Sequence, residues 1–234
     1  CLLLEQMGIY PESSHHEEGP GQNEIDFRYS DPLTAADNTL TFQAVVKTVA
    51  ERNGLYADFS PKPLRHQPGN GFHINISVKG GNCEDPLSHM IAGILAHISE
   101  LTVFLNPTVA SYERFGGPKA PEYISWSNQN RSQLIRVPAA VDAYRRAELR
   151  SPDPTTNPYL AFALLIYAGL DGIQQKLPLP APTDLNLFTA SADILAGLQR
   201  LPLTLREAAT LAANSSFVSQ YLPKTIVQTY YNQR

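Results

Sequence analysis

The sequence predicts an α+β fold in which an antiparallel, curved β-sheet is flanked by helices. Short strand-like segments and long amphipathic helices both occur, and they do not alternate regularly as they do in βαβ units. Apolar residues make up 43% of the 234 residues and charged residues only 17%, which is typical of a compact, folded enzyme. We therefore interpret residues 1–234 as one domain.

Helices are indicated by apolar residues at helical spacing and by capping residues where the runs begin. Asp31 precedes one such run, and Asn157 followed by Pro158 is an N-cap with a first-turn proline. Thr204 and Glu207 have the spacing of a capping box. The predicted helices cover residues 31–53, 87–105, 158–170, a short run after 204, and the tail 217–231.

Several predicted strands are polar on one face only. In the strand 72–78, His73, Asn75 and Ser77 alternate with apolar residues, and the segments 24–29 and 146–150 show the same alternation. One solvated sheet face is the simpler explanation, and a lined cavity is the alternative. The predicted strands are residues 12–17, 22–29, 55–60, 72–78, 123–127, 133–137 and 145–150.

The first two strands form a hairpin rich in acidic residues. A turn centred between Pro20 and Gly21 would place Glu17 directly opposite Glu24. Facing carboxylates repel each other unless a cation lies between them, and a slipped register is the alternative. Together with His73 and Glu148 from other strands, these carboxylates form a donor set that suits Mg²⁺ or Mn²⁺.

Arginines are concentrated in and beside two later strands. Besides Arg145, five candidate arginines fall within the 37 residues 114–150, and ordinary surface charge is the alternative explanation. Arginine binds phosphate and carboxylate oxygens through fixed, paired donors, and chemistry that needs both arginine and a divalent metal is typical of phosphoryl transfer. The arginines are Arg114, Arg131, Arg136, Arg146 and Arg150.

Charge, cysteine content and hydropathy restrict the partners and the compartment. The net charge of −4 gives no basic face for nucleic acid or for an anionic membrane. Two cysteines, Cys1 and Cys83, indicate a reducing cytoplasm. We expect no membrane span, because the longest apolar run, residues 159–170, is too short. The apolar start at residues 1–4 is interpreted as the end of a helix that begins upstream, so we expect a fragment of a longer protein.

Ordered motifs along the whole chain resemble the glutamine synthetase family. His15-His16-Glu17 with Gly21-Gln22-Asn23-Glu24 is similar to the family's His-His-Glu…Pro-Gly-Gln-x-Glu segment, and residues 71–77 are similar to its Gly-x-His-x-(His/Asn)-x-Ser element. Further matches follow in the family's order at residues 61–63, 106–112, 124–138, 146–159 and 169–172. The resemblance implies the C-terminal catalytic domain of a type I-like bacterial enzyme, whose sheet is of the type shared with guanidino kinases.

The resemblance also implies roles for matched residues. The implied metal ligands are Glu17 and Glu24 for the ion nearer glutamate, and His73 and Glu148 for the ion bridging the ATP phosphates. The implied glutamate-binding residues are Glu17, Gly69, Arg114 and Arg150. The implied ATP-binding residues are Glu12, Asn75, Ser77, Arg136 and Arg146, and the implied catalytic arginines are Arg114, Arg131 and Arg150.

The family's reaction and assembly are implied in the same way. Glutamate's γ-carboxylate would attack the terminal phosphate of ATP, and ammonia would displace phosphate from γ-glutamyl phosphate to give glutamine. Mg²⁺ or Mn²⁺ would be the cofactor, and self-association would give a homododecamer of stacked rings. The family's N-terminal β-grasp domain and its Glu-x-Glu strand are expected upstream of Cys1, so we expect the isolated chain to be inactive.

Three departures from the family pattern lie around the substrate. Lys119 occupies the position of a flap glutamate that guards the ammonium site, while Pro68 and Ala143 replace an asparagine and a basic residue. Glu122 and Glu113 are candidates to substitute for the flap glutamate. The open alternatives are therefore a related ligase that joins glutamate to a bulkier amine, and a non-catalytic homologue.

Overall fold

The computed structural model describes residues 1–79, 83–117, 119–140 and 144–232, and it has the predicted α+β architecture. The helices are α1 (Leu2–Gln6), α2 (Pro32–Arg52), α3 (Pro86–Leu105), α4 (Val109–Tyr112), α5 (Pro158–Gln175), α6 (Ala192–Ala196), α7 (Leu205–Ala213), α8 (Ser216–Tyr221) and α9 (Lys224–Tyr231). The strands are β1 (Pro11–His16), β2 (Asn23–Phe27), β3 (Ile74–Ile76), β4 (Trp126–Ser127), β5 (Ile135–Arg136) and β6 (Ala147–Leu149).

The strands form two separate sheets. β1 and β2 make an antiparallel hairpin, and the other strands make a sheet in the order β3-β6-β5-β4. β6 pairs antiparallel with both β3 and β5, whereas the β4–β5 pair is parallel, so this sheet is mixed rather than purely antiparallel.

The core lies between the apolar face of the four-stranded sheet and a helical layer. Ile74, Ile135 and Leu149 point into a buried cluster that also contains most of the apolar residues of α3 and the inner face of α5. The α5 residues of this cluster are Ala161, Leu164, Leu165 and Ala168. Because side chains alternate along a strand, the neighbouring residues of the same strands lie on the opposite face. The packing of the core thereby orients the polar side chains of β3, β5 and β6 toward one surface.

Helix capping confirms the predicted starts of three helices. The side chain of Asp31 accepts hydrogen bonds from the second and third amides of α2, and Asn157 does the same for α5. At α7, Thr204 accepts from the amide of Glu207, whose carboxylate accepts from the amide of Leu203. α5 extends beyond the predicted residue 170 to Gln175. The predicted tail helix is divided into α8 and α9 at Pro223, which lacks an amide donor.

Except for β1, the strands are shorter than predicted, and the predicted strand at residues 55–60 is absent. Residues 55–60 form a loop, because the carbonyls of Asp58 and Ser60 accept from the Asn70 side chain rather than from a neighbouring strand. Near residue 123 only a single bridge to Arg200 forms before β4 begins. Of the predicted strands 133–137 and 145–150, only the central residues form strands, β5 and β6.

α3, rather than the run 159–170, is the long apolar helix of the described chain. It meets the length and composition of a membrane span, but 67% of its apolar window is buried inside the protein. Ile98 and Leu101 are completely buried, which is typical of a central core helix.

A histidine between two carboxylates connects three helices. His97 on α3 contacts Glu100 Oε1 at 2.5 Å and Asp171 Oδ2 of α5 at 3.0 Å. Its ring stacks on Phe217 of α8 with centroids 3.8 Å apart. Burial opposes the imidazolium, but the hydrogen bonds to Glu100 and Asp171 outweigh it and raise the pKa of His97.

We expect this network to make stability depend on pH near neutrality. A raised folded-state pKa stabilises the fold fully below the unfolded value of about 6.5, and the contribution is lost as pH rises through the folded value. The carboxylate partners have lowered pKa values and contribute only above their unfolded values, so the benefit is greatest between roughly pH 5 and 6.5. Replacing His97 by glutamine should remove about 1–2 kcal/mol of unfolding free energy at pH 6 and less at pH 9.

Urea unfolding across this pH range measures the effect, and His66→Gln, at an exposed loop position, is the matched control. Parallel pH profiles of the wild type and His97→Gln would contradict the assignment of the charge to His97.

Candidate active site

Glu148 is the central residue on the polar face of the four-stranded sheet. It lies on β6 opposite Asn75 of β3 and Arg136 of β5, so the register brings three predicted site residues side by side. Arg136 Nε contacts Glu148 Oε2 at 2.5 Å, and Arg150 donates to Oε1 at 3.0 Å. Burial alone would raise the pKa of Glu148, but the positive charges of Arg150 and Arg136 outweigh burial and lower it.

His73 lies beside this carboxylate as a neutral imidazole. Its Nδ1 is 3.5 Å from Glu148 Oε1. Partial burial and the positive charge of Arg150 lower the pKa of His73 to about 3. An imidazole that is neutral at physiological pH, next to a carboxylate, is a donor pair suited to a divalent cation.

Arg114 is buried beneath a glycine-rich loop. Its guanidinium donates to the carbonyls of Ser151 and Pro152, and burial lowers its pKa to about 10. Among the described residues its Nε has no hydrogen-bond partner. A Cβ at Gly69 would lie 2.7 Å from Arg114 Cγ, so only glycine allows this loop to approach the arginine.

The remaining predicted residues surround this centre. Arg146 Nε donates to Asn75 Oδ1 at 3.1 Å, and Arg150 Nε donates to the carbonyl of Arg131, whose side chain is exposed. Ser77 is exposed just beyond β3. Glu12 is exposed on β1, beside a bulge in the hairpin, and the structure brings it into none of these contacts.

The hairpin forms a second cluster whose donors also suit a divalent ion. His15, Glu17 and Glu24 each offer a ligand atom within 4.8 Å of the others. Two carboxylates and one imidazole fit Mg²⁺ or Mn²⁺ better than structural zinc. Burial and the charges of Asp26 and Glu17 raise the pKa of Glu24, which shows how closely negative charge is gathered here.

The predicted pairing of Glu17 with Glu24 is wrong. His15 pairs with Glu24 and His16 with Asn23, so Glu17 lies two residues farther along, where its amide donates to the Gln22 carbonyl. The bond from the Glu17 amide closes a longer loop, residues 18–21, inside which the Gln22 amide donates to the Gly19 carbonyl. His15 and Glu24 are directly paired and so lie on the same face of the hairpin. Glu17 lies on that face too, because it is two positions after His15.

A lysine from a distant loop balances the hairpin's charge. Lys119 Nζ contacts Glu17 Oε2 at 2.5 Å and Glu18 Oε1 at 3.3 Å. Burial opposes ionisation of Glu17, but the hydrogen bond and charge of Lys119 prevail and lower its pKa to about 2. Of the proposed substitutes for a flap glutamate, Glu122 pairs with Arg200 and Glu113 is exposed.

Gln22 connects the hairpin to the glycine loop above Arg114. Its amide nitrogen donates to the Gly69 carbonyl at 3.1 Å and to Asn70 Oδ1 at 2.9 Å. Through this contact the hairpin is joined to the loop that packs against Arg114. The carbonyl of Gly69, an implied glutamate-binding residue, already accepts one hydrogen bond from Gln22.

Sequence reasoning did not identify His15 as a donor, Gln22 as a link or Lys119 as a partner of Glu17. His15 was recognisable, because it lies two residues before Glu17 on the same strand face. The contacts of Gln22 and Lys119 span 47 and 102 residues, and no local pattern indicates them. Pro68 adjoins the glycine loop, and Ala143 lies outside the described residues.

Comparison with known proteins identifies close relatives over the whole chain. The profile of the family "Glutamine synthetase, catalytic domain" matches residues 1–234. The glutamine synthetase of Methanosarcina mazei is 46% identical over 242 residues, covering 97% of this chain and 54% of that protein. That of Clostridium saccharobutylicum is 44% identical over 244 residues, covering 98% of this chain and 55% of that protein.

Solved structures agree with these sequence comparisons. The complex of GmaS with ADP superposes with a TM-score of 0.88 at 31% identity, covering 99% of this chain and 56% of that one. GmaS without ligand gives a TM-score of 0.87, also at 31% identity. The chain therefore spans about half the length of the relatives that it matches.

Proposed function

Because the chain belongs to the glutamine synthetase catalytic-domain family, we propose that its protein joins ammonia to the γ-carboxylate of glutamate. ATP is the co-substrate, and glutamine, ADP and phosphate are the products. The observation that supports this proposal most directly is the buried carboxylate of Glu148, placed between Arg136 and Arg150 and beside neutral His73. Phosphoryl transfer requires arginine side chains and a divalent metal ion close together, because both stabilise the negative charge on the transferred group.

Two pairs of donors would hold Mg²⁺ or Mn²⁺. Glu17 and Glu24, with His15, would hold one ion on the hairpin, and His73 with Glu148 would hold another on the sheet. These ions would neutralise phosphate oxygens and polarise the transferred group. Glu12, Asn75, Ser77, Arg136 and Arg146 would bind ATP, as their family positions imply.

The arginines orient the substrates and stabilise charge. A carboxylate is a poor electrophile, and its activation as γ-glutamyl phosphate is the reason that the reaction needs ATP. Arg150 is fixed by Glu148 and by the Arg131 carbonyl, so it presents its remaining donors in a defined direction. Arg114 has a buried Nε without a partner among the residues that the structure describes and, with Gly69, would hold glutamate. Arg114, Arg131 and Arg150 would stabilise the charge on the transferred phosphate.

The experiment measures ADP and glutamine formation by the full-length protein with glutamate, ATP, Mg²⁺ and ammonium. We expect His73→Ala to lower kcat/KM by about 100-fold or more, because a metal donor is lost. His66→Ala, at an exposed loop position, should retain full activity. Ammonium-independent ADP release, or equal activity of both variants, would argue against the proposal.

A ligase that uses a bulkier amine is the second candidate. Lys119 places a positive charge beside Glu17, where it disfavours a small cation such as ammonium. The similarity to GmaS supports this candidate within the same family. A panel of primary amines, each compared with ammonium at equal concentration, distinguishes the two. Higher kcat/KM with an alkylamine would favour the second candidate.

Assembly and location follow from the family. We propose that the full-length protein self-associates, as a homododecamer of stacked rings, and acts in the cytoplasm. Light scattering of the full-length protein gives its molecular mass and tests the subunit number.

A further inference from the structure

Lys119 has an unusual backbone conformation at the tip of a loop. Its φ of +62° lies in the left-handed region, where a side chain with a Cβ is disfavoured by roughly 1–2 kcal/mol. Of the described residues, only one other besides glycine, Lys176, has a positive φ, and it ends a helix. A strained backbone conformation persists only where surrounding contacts stabilise it. The contacts of the Lys119 side chain can provide this stabilisation.

The loop that presents Lys119 is anchored on both sides. Arg114 is buried before it, and Glu122 after it is bonded to Arg200 while its carbonyl accepts from the Leu201 amide. Inside the loop, the Gly116 amide donates to the Ala120 carbonyl. None of these anchoring contacts involves the Lys119 side chain, so displacing this side chain from Glu17 breaks none of them.

The side chain reaches a donor of the hairpin cluster directly. Lys119 Nζ lies 2.5 Å from Glu17 Oε2, while His15 Nε2 lies 3.3 Å from the other oxygen of the same carboxylate. The Glu17 side chain is only 16% exposed, so solvent screens its contact with the ammonium less than it would at a fully exposed site. The positively charged amino group of Lys119 and a divalent ion cannot both occupy Glu17 Oε2 at the same time.

We propose that Lys119 is a tethered cation that competes with divalent metal for Glu17 and thereby sets the metal affinity of the hairpin cluster. The inference rests on the proposed function, in which this cluster holds a metal ion. Binding of the ion displaces the Lys119 side chain from Glu17. Metal occupancy and the position of this side chain are therefore linked, and each change favours the other.

The size of the effect follows from competition. The observed dissociation constant equals the intrinsic constant divided by the fraction of protein in which Lys119 has left Glu17. If that fraction is about one tenth, Lys119→Gln should bind Mn²⁺ roughly tenfold more tightly than the wild type. Lys119→Arg keeps the positive charge and should remain close to the wild type. Lys224→Gln makes the same charge change at the start of α9 and serves as the matched control.

Two measurements on the full-length protein test the proposal. Electron paramagnetic resonance titration of Mn²⁺ gives the dissociation constants of the four proteins. Acetylation of lysine side chains, followed by mass spectrometry, reports the accessibility of Lys119 with and without Mn²⁺. We expect Mn²⁺ to increase acetylation of Lys119 several-fold and to leave Lys224 unchanged. Thermal melting in the absence of metal checks that Lys119→Gln is folded.

The possible outcomes separate this inference from the proposed function. Equal Mn²⁺ affinity in the wild type and folded Lys119→Gln, with unchanged acetylation, overturns the role of Lys119 but leaves the metal site intact. Failure of every variant to bind Mn²⁺ overturns both the role of Lys119 and the metal site. If Lys119→Gln does not fold, Mn²⁺-dependent acetylation of wild-type Lys119 decides the question alone.

Discussion

Replacing Glu148 by glutamine is expected to destabilise the protein and to abolish its activity. The substitution leaves Arg136 and Arg150 on the polar face of the sheet without the carboxylate that compensates them. Breaking a buried ion pair by removing one partner costs about 3–5 kcal/mol, and the glutamine carbonyl recovers part of one hydrogen bond. We therefore expect the free energy of unfolding to fall by about 3 kcal/mol and ADP formation to fall by at least about 100-fold.

Urea unfolding and an ADP assay of the same preparations measure the two effects. Glu122→Gln is the matched control, because it also removes a carboxylate from an arginine, but Arg200 is 49% exposed. An exposed pair contributes about 0–1 kcal/mol, so this variant should remain within that range. Equal losses of unfolding free energy and of ADP formation in the two variants would contradict the importance of Glu148 as the partner of Arg136 and Arg150.

Replacing Gly93 by alanine is expected to have the largest effect on stability alone. Gly93 on α3 and Gly172 on α5 lie where the two core helices touch backbone to backbone. A Cβ on Gly93 would lie 2.1 Å from the Ala168 carbonyl oxygen and 2.7 Å from the Gly172 nitrogen. Because both obstacles are backbone atoms, the helices must separate, and the apolar residues between them lose contact.

The expected loss is about 3 kcal/mol or more, at the upper end of the range for overpacked cores. Thermal and urea unfolding measure it. Gly197→Ala is the control, because its Cβ would meet only the Ile194 carbonyl oxygen at 3.5 Å and its φ is negative. That variant should change stability by less than about 1 kcal/mol. A stable Gly93→Ala protein would mean that the helices do not approach as closely as described.

Helix positions and the polar strand faces were predictable because they depend on local features. Asp31, Asn157 and Thr204 cap helices at the positions that their side chains favour. The alternation of polar and apolar residues around Glu148 shows which face of a strand is buried, and core packing enforces that choice. The loop at residues 55–60 was mispredicted, because its strand-like composition does not reveal that Asn70 binds its carbonyls.

The hairpin register was decided by the turn and not by the acidic residues. The pairing of His15 with Glu24 goes with the loop of residues 18–21 that the Glu17 amide closes on the Gln22 carbonyl, and a shift of two residues keeps the same faces. The motifs thus identified the donors on each strand face, while the structure determined which of them meet.

The sequence alone determined the family of this chain, its α+β class and the residue types that line its polar sheet face, because these properties depend on the order of residues and on short-range periodicity. Only the tertiary structure placed Glu148 between two arginines, joined Gln22 to the glycine loop and brought Lys119 to Glu17. These contacts join residues that are far apart in the chain, and their geometry depends on core packing and loop closure, which no local sequence pattern encodes.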